Sequence, residues 1–281
     1  MRFFKRPQIV TLIVAILAVV LLLLLPRTGK KNTDIEDVAQ VSVSKDYSES
    51  SISQLNENDK LIYTRLISRV NTAKDPLEKI DGLDSLSKFW DERGDVLMSA
   101  DELHQIAEII SDKPSYFIAG DKYFEAFKSL SDERQVIALK KSISCYEAIL
   151  KLLPEDLEAM TSLGVCYVEG SAVLGEAPMK GIGILRDVLE KDPKNINALI
   201  NLGYFAAKSG QYDKALERYK KVLEIDPEFS DAYLYLSDVY LQMGNNNEAA
   251  NYLEKFKRFV QEPEKLEQLD VYIEKIRNNN I

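Results

Sequence analysis

Residues that carry acid–base or metal chemistry are few in this sequence. The only histidine is His104, which shares a predicted amphipathic helix with Asp101 and Glu108 at helical spacing. Metal ligation would need further histidine or cysteine ligands around it, and these are absent. His104 is therefore predicted to be structural or solvated, and no metal site is expected.

Two glycine patterns resemble nucleotide-binding loops without completing them. Gly170 and Gly175 have the glycine spacing of a phosphate loop, but Glu176 and Ala177 stand where that loop needs Lys and Ser or Thr. The Gly181-Ile182-Gly183 run lacks the third glycine and a preceding strand, which a dinucleotide site requires. The sequence therefore predicts no catalytic residue and no cofactor-binding residue, and the protein is not expected to be an enzyme.

Composition supports a folded protein and argues against nucleic acid as the ligand. The chain has 281 residues, 46% hydrophobic and 29% charged, with a formal net charge of −9. Nucleic-acid binding depends on Lys and Arg that neutralise phosphates, and an acidic chain is poorly suited to it. Paired carboxylates are common in such a charged helical sequence and are interpreted as solvated faces.

A repeat of defined length organises the second half of the chain. Pro227 follows Pro193 by 34 residues, and Leu236 follows Leu202 by the same interval. The stretch from Ile196 to Phe229 closely resembles one tetratricopeptide repeat, a helix-turn-helix unit of this period. The resemblance implies an all-α fold, an α-solenoid of stacked antiparallel helix pairs, which we expect to follow one transmembrane helix.

Neighbouring segments match the same signature less closely. Tyr116, Ala119, Gly120 and Tyr123 fit the W-x2-L-G-x2-Y spacing, and the extra residues 129–133 are expected to form a longer turn or to extend the helix. The next match, around Gly164, has extra residues assigned to a loop at 170–180. The predicted organisation is a short basic leader (1–8), a transmembrane anchor (9–26), a flexible linker (27–57), a degenerate helical part of the solenoid (58–112), a repeat-like unit (113–156), a repeat with an insertion (157–195), two further repeats (196–229 and 230–262) and a capping helix (263–281).

Small residues are expected where the two helices of a pair meet. The resemblance places Gly120, Gly164 and Gly203 at the closest approach, with Ala215 and Ala249 opposite them on the second helices. Upstream, Asp75-Pro76 predicts a helix start, and a further helix is expected to begin near Ser99.

Cys145 and Cys166 fall on helices of adjacent repeats. The favoured interpretation is two free buried thiols. A disulfide stays open as the alternative, because two cysteines of an exported domain can pair.

An apolar run near the amino terminus predicts a membrane anchor. Every residue from Ile9 to Leu25 is apolar except Thr11, at the short end of what spans a bilayer. Lys and Arg are balanced on its two sides, and the free amino terminus adds one positive charge to the leading side. We therefore expect a single-pass protein of the inner membrane with its carboxy-terminal domain on the extracytoplasmic side.

In tetratricopeptide repeat arrays the first helices line a concave groove that holds extended peptides or helices. The resemblance implies such a groove for a protein or peptide partner. Its candidate residues are Thr161, Val165, Val168, Glu169, Asn197, Ile200, Asn201, Tyr204, Lys208, Asp231, Leu234, Tyr235, Asp238 and Gln242. Only Asn201 matches the Lys and Asn cluster with which some members grip a chaperone's terminal carboxylate, so that ligand is not predicted.

Two functions are compatible with this sequence. The first is a membrane-tethered scaffold that mediates protein–protein interactions. The alternative is a membrane-attached holdase chaperone, or an accessory factor for protein export or envelope assembly. Binding of one stoichiometric partner would favour the scaffold, and promiscuous suppression of client aggregation would favour the holdase.

Overall fold

The structure is a computed structural model that describes residues 47–279. Residues 57–277 form thirteen α-helices, and the described part contains no strand. In chain order the helices are α1 Glu57–Thr72, α2 Pro76–Asp91, α3 Val96–Ile110, α4 Lys113–Ser129, α5 Arg134–Leu152, α6 Leu157–Glu169, α7 Ser171–Leu174, α8 Met179–Lys191, α9 Ile196–Lys208, α10 Tyr212–Ile225, α11 Ser230–Gln242, α12 Asn246–Phe256 and α13 Pro263–Arg277.

The predicted membrane anchor at 9–26 lies outside the described residues, as do the basic leader and most of the predicted linker. From residue 47 to residue 279, no helix is both long enough and apolar enough to cross a membrane.

Helices that follow one another in the chain pack side by side. They form the pairs α4/α5, α6/α8, α9/α10 and α11/α12. The two helices of a pair contact each other more extensively than either contacts the next pair. This is the helical solenoid predicted from the repeat. Each layer depends on its neighbours because a single helix pair cannot bury its own apolar face.

The core runs through the array as a series of clusters, each built by one pair and the first helix of the next. Between α9, α10 and α11, for example, Leu216, Tyr219 and Leu236 are buried together. A second cluster joins Leu199, Val222 and Ala232 of the same three helices. The apolar residues that recur along each helix are therefore shared between neighbouring pairs.

Helix α3 begins earlier than the sequence predicted. Its first residue is Val96, and the side chain of Asp95 accepts a hydrogen bond from the backbone N–H of Met98. Ser99, the expected start, is fully buried, and its hydroxyl lies 2.9 Å from that of Ser87. The predicted boundary was wrong because Ser99 serves an interhelical contact and Asp95 provides the cap.

The end of the predicted flexible linker is ordered. Residues 47–53 are helical, and Tyr47 is buried, with 6% of its surface exposed. The Tyr47 hydroxyl donates to Asp101 of α3 and accepts a hydrogen bond from Lys141 of α5. Ser51 donates to Asp95 at 2.6 Å. These contacts dock the segment onto α3 and α5. The prediction of a flexible linker up to residue 57 is therefore wrong for residues 47–53.

The two insertions are accommodated differently. Helices α4 and α5 have 17 and 19 residues, against 13 and 14 in α9 and α10, so the extra residues of the first insertion lengthen both helices. In the second, residues 170–178 form the short helix α7 and a turn before α8 begins.

The last helix closes the array as a cap. Ile273 and Ile276 of α13 are buried against α12, and Asn246 donates to the backbone carbonyl of Ile276 at 3.0 Å. The predicted polar outer face is exposed in the structure, and it comprises Glu264, Lys265, Glu267, Glu274 and Lys275.

The glycines of the helix pairs face large side chains of the second helices, not the expected alanines. A Cβ on Gly203 would meet the ring of Tyr219, and one on Gly120 would meet the ring of Tyr146. Ala215 and Ala249 are buried instead in the clusters between pairs. The closest backbone approach involves Gly164 of α6 and Gly181 of α8, where a Cβ on Gly181 would lie less than 3 Å from backbone atoms of α6.

The close contact between Gly181 and α6 can be tested by comparing substitutions at two glycines of α8. We expect Gly181→Ala to destabilise the protein by about 2 kcal/mol, since backbone atoms of α6 cannot move aside as a flexible side chain would. Such a loss should lower the melting temperature by roughly 5 °C, measured by circular dichroism. Nothing lies within 4 Å of a Cβ built on Gly183. Gly183→Ala should therefore leave the melting temperature unchanged or raise it, because alanine favours the helix by up to about 1 kcal/mol. Equal melting temperatures for the two variants would contradict this packing.

Candidate functional site

A groove lies along the first helices of three successive pairs, α4, α6 and α9. It encloses about 300 Å³. We call it the groove; its lining residues are Phe117, Asp121, Phe124, Tyr146, Glu158, Thr161, Ser162, Val165, Asn197 and Asn201. Aromatic, apolar, amide and carboxylate groups therefore share one concave surface.

The helices that form the groove start from the same kind of cap. Asp112, Asp156 and Asn195 precede α4, α6 and α9, and each side chain accepts a backbone N–H at 2.9 Å. Such caps satisfy donors that the first turn of a helix leaves free. The repeated cap sets the start of each first helix, so residues at equal distances from it line one surface.

A hydrogen bond between helices orients the carboxylate of the groove. The Tyr146 hydroxyl donates to Asp121 at 2.6 Å, and the Tyr146 ring is buried edge-on against Phe117 at 5.5 Å between centroids. Burial raises the pKa of Tyr146, and its bond to Asp121 raises it further, so the phenol stays protonated. The exposed Asp121 can still accept from a bound donor, because a carboxylate has several lone-pair sites.

Four of the predicted groove residues lie in this groove: Thr161, Val165, Asn197 and Asn201. Thr161 is buried and its hydroxyl donates to the carbonyl of Leu157, so it shapes the floor. Asn197 is exposed, and its backbone carbonyl accepts from the Asn201 side chain at 2.9 Å.

Other predicted residues have packing roles. Ile200 contacts the cluster between α9, α10 and α11, and Leu234 contacts the cluster beneath the cap. The ring of Tyr235 lies 5.2 Å from that of the buried Tyr219. These three side chains are half-buried among the repeats.

The remaining predicted residues do not line the groove. Val168, Glu169 and Lys208 line a separate cavity at the carboxyl ends of α6 and α9. Tyr204 is 47% exposed on α9. Asp231, Asp238 and Gln242 are exposed along α11, where Gln242 donates to Asp238 at 2.6 Å.

Six groove residues were missed at the sequence level, among them Tyr146, Glu158 and Ser162. The other three belong to α4: Phe117, Asp121 and Phe124. The signal for them was present. Phe117 precedes Gly120 by the same interval as Thr161 precedes Gly164, and Asp121 corresponds in the same way to Val165. Carrying the groove positions one repeat upstream would have identified all three.

The charged residues around the only histidine form a structural cluster. Asp101 accepts hydrogen bonds from Tyr47, Tyr123 and Lys141, which commits its carboxylate to neighbouring helices. Burial lowers the pKa of His104, whose ring lies 6.0 Å from the ring of Tyr123. Across residues 47–279, no group of three His, Cys, Asp or Glu side chains is placed to hold a metal ion.

Both cysteines are free and buried, which was the favoured interpretation. Burial raises the pKa of each thiol to about 12. A thiol with such a pKa stays protonated near neutral pH and is a poor nucleophile.

Comparison with known proteins identifies the repeat. Residues 184–217 and 206–264 match two family models, both described as tetratricopeptide repeat. The chain contains tetratricopeptide repeats. Their fold is typically a non-enzymatic scaffold, and tetratricopeptide repeat proteins bind peptide or protein partners.

Two curated relatives share part of this sequence. BBSome complex member BBS4 from Bos taurus is 32% identical over 114 residues, which cover 41% of this chain and 21% of that protein. Lipopolysaccharide assembly protein B from Haemophilus influenzae is 28% identical over 122 residues, covering 43% of this chain and 29% of that protein. The matched region thus spans less than a third of either relative.

A solved structure with the same fold covers more of the chain. A tetratricopeptide repeat protein from Parabacteroides merdae superimposes with a TM-score of 0.53 at 17% identity, covering 86% of each chain. At that identity the likeness concerns the fold, and it extends the tetratricopeptide repeat architecture beyond residues 184–264.

The buried Glu102 generates a prediction about pH. Burial raises its pKa from 4.5 to about 7, and neighbouring Asp101 adds to the rise. Folded protein then holds a proton that the unfolded chain releases above about pH 4.5, so the stability associated with this group falls as pH rises towards 7. The difference amounts to at most about 3 kcal/mol.

We expect Glu102→Gln to gain stability relative to the unsubstituted protein between pH 5 and pH 8, measured by urea unfolding. Comparison with the unsubstituted protein is needed because the lowered pKa of His104 acts in the opposite direction. Glu267→Gln, an exposed site on α13 whose charge does not act on Glu102 or His104, is the control and should show no such gain. Parallel stability curves for Glu102→Gln and the unsubstituted protein would rule out a buried, titrating Glu102.

Proposed function

We propose that this protein is a membrane-tethered scaffold that binds a segment of a partner protein in the groove, on the extracytoplasmic side of the inner membrane. The observation that carries the proposal is the groove itself. Three successive first helices present half-buried aromatic rings together with amide and carboxylate groups on one surface. Interfaces favour such aromatic side chains, which give large contact area with little loss of conformational entropy.

The groove chemistry favours a particular kind of segment. Phe117, Phe124 and Val165 offer apolar contact, whereas Asp121 and the two asparagines offer hydrogen-bonding groups. Glu158 is already paired with Lys113 at 3.0 Å, which leaves Asp121 as the carboxylate available to a ligand. The expected partner segment carries apolar side chains next to a hydrogen-bond donor, such as an amide or a cation.

Tethering rests on the sequence. The apolar run from Ile9 to Leu25 supports an anchor, and the positive charge of the free amino terminus supports export of the rest of the chain. One relative is named for lipopolysaccharide assembly, which supports a role for the scaffold beside an envelope-assembly machine.

A groove substitution tests the binding site. Asn197 is exposed, and Asn197→Arg would place a long cation at the groove wall. We expect recovery of the crosslinked partner from intact membranes to fall at least about tenfold, while the helical circular dichroism spectrum stays native. Asn251→Arg, an exposed site on α12, makes the same change away from the groove and should leave recovery intact. Undiminished recovery with Asn197→Arg would move the partner away from the groove.

The same crosslinking reports on the mode of action. A single partner in fixed stoichiometry supports a scaffold, whereas a broad set of unfolded clients supports the holdase alternative. A reporter fused after Ile281 tests topology, since activity only inside the cell would contradict the extracytoplasmic location.

A further inference from the structure

A second cavity lies where the α6/α8 pair meets the α9/α10 pair. It encloses about 590 Å³, within the range of ligand sites. Its floor is formed by Leu202 and Phe205 of α9, and its walls include Val168 of α6 with Met179 and Ile182 of α8. We call it the inter-repeat cleft. It shares no lining residue with the groove.

The second insertion accounts for the cleft. Helix α8 starts only after α7 and the turn that ends at Pro178, and both Ala172 of α7 and Pro178 border the cavity. The junction between α8 and α9 is less closely packed than the equivalent junctions α5/α6 and α10/α11. The floor residues Leu202 and Phe205 are buried, whereas Met179 and Ile182 of α8 are left accessible to a ligand.

The rim of the cleft carries three cations that form no ion pair within the described residues. Arg186 of α8 and Lys214 and Arg218 of α10 form no ion pair with any carboxylate in residues 47–279. Glu169 is the only acidic residue in the lining, and it is paired with Lys208 at 3.0 Å. In a chain with a formal net charge of −9, this local excess of positive charge stands out.

The two arginines also lie close enough to repel each other. Burial lowers the pKa of Arg218, Glu217 opposes this, and the charge of Arg186 adds to the lowering. Like charges held together beside an apolar cavity favour an anionic ligand, which would relieve their repulsion.

We propose that the inter-repeat cleft binds an acidic peptide segment of a partner protein, with apolar side chains on the exposed Met179 and half-buried Ile182 and carboxylates on Arg186 and Arg218. Guanidinium groups match carboxylates in a planar, two-bond geometry. Lys214 and Arg218 are one helical turn apart on α10, and Arg186 comes from another helix, so the cations are spread along the rim. A peptide with two carboxylates meets this spread better than an amphiphile with one headgroup.

The test uses short fluorescein-labelled peptides and the full-length protein. One series carries two Asp or Glu residues among Leu and Phe at varied spacing, and a matched series replaces each carboxylate by its amide. Fluorescence anisotropy should show at least one acidic peptide binding about tenfold more tightly than its amide match, as expected when charged hydrogen bonds form. Added salt should weaken that binding.

Charge reversal locates the site. Arg186→Glu and Arg218→Glu should each weaken the acidic peptide about tenfold or more. Lys140→Glu makes the same change at an exposed position of α5 outside both sites and should have no such effect. Asn197→Arg in the groove should also leave this binding unchanged, so failure here and failure of the groove proposal are separable.

Three results would overturn the proposal: no acidic peptide binds, the amide series binds equally well, or the arginine reversals have no more effect than Lys140→Glu. Binding of sodium dodecanoate but of no peptide would also overturn it, since a single-headgroup amphiphile would then be the ligand. Native circular dichroism spectra of the variants exclude loss of folding as the cause.

Discussion

In three successive pairs, α4/α5, α6/α8 and α9/α10, the two helices meet at a glycine of the first helix, and the groove and the stacking of these pairs depend on that contact. Gly164 and Gly181 bring α6 and α8 together at backbone distance, and Gly203 receives the ring of Tyr219 in the next pair. Each first helix is thereby held against its second helix along one face. The opposite face stays free, and three such faces in succession make the groove.

Stacking then joins the pairs without a single central core. Clusters such as the one around Leu216, Tyr219 and Leu236 are shared between one pair and the next. Each junction is therefore stabilised by residues of the adjoining pairs alone. A change at one junction does not require a change elsewhere. This is why the chain accommodates an insertion before α8, and why that insertion creates a cleft without breaking the array.

Charge is divided between the two candidate surfaces. The groove offers Asp121, supported by the Tyr146 hydroxyl, whereas the inter-repeat cleft offers Arg186 and Arg218. Surfaces of opposite character on one scaffold suit two segments of different charge, and like-charge repulsion would discourage each segment from the other's site. In α3, by contrast, the carboxylate of Asp101 accepts hydrogen bonds from Tyr47 and Tyr123 and is not available to a ligand.

Local features of the sequence determined the helical solenoid. These features are the 34-residue spacing of Pro193 and Pro227, the Asp75-Pro76 start of α2 and the glycines of the helix pairs. Each is a residue type at a fixed interval, so it can be recognised without a structure. Even the groove residues of α4 could have been found by extending the same register. Only the tertiary structure decided what depends on distant neighbours. Tyr47 is buried because Lys141, 94 residues away, and Asp101 complete its surroundings. Likewise burial raises the pKa of Glu102, and the charge of Arg186 acts on Arg218 because α8 and α10 both border the inter-repeat cleft. Periodicity shows which face of a helix is apolar, but burial and charge at a given residue are set by the helices that pack against it.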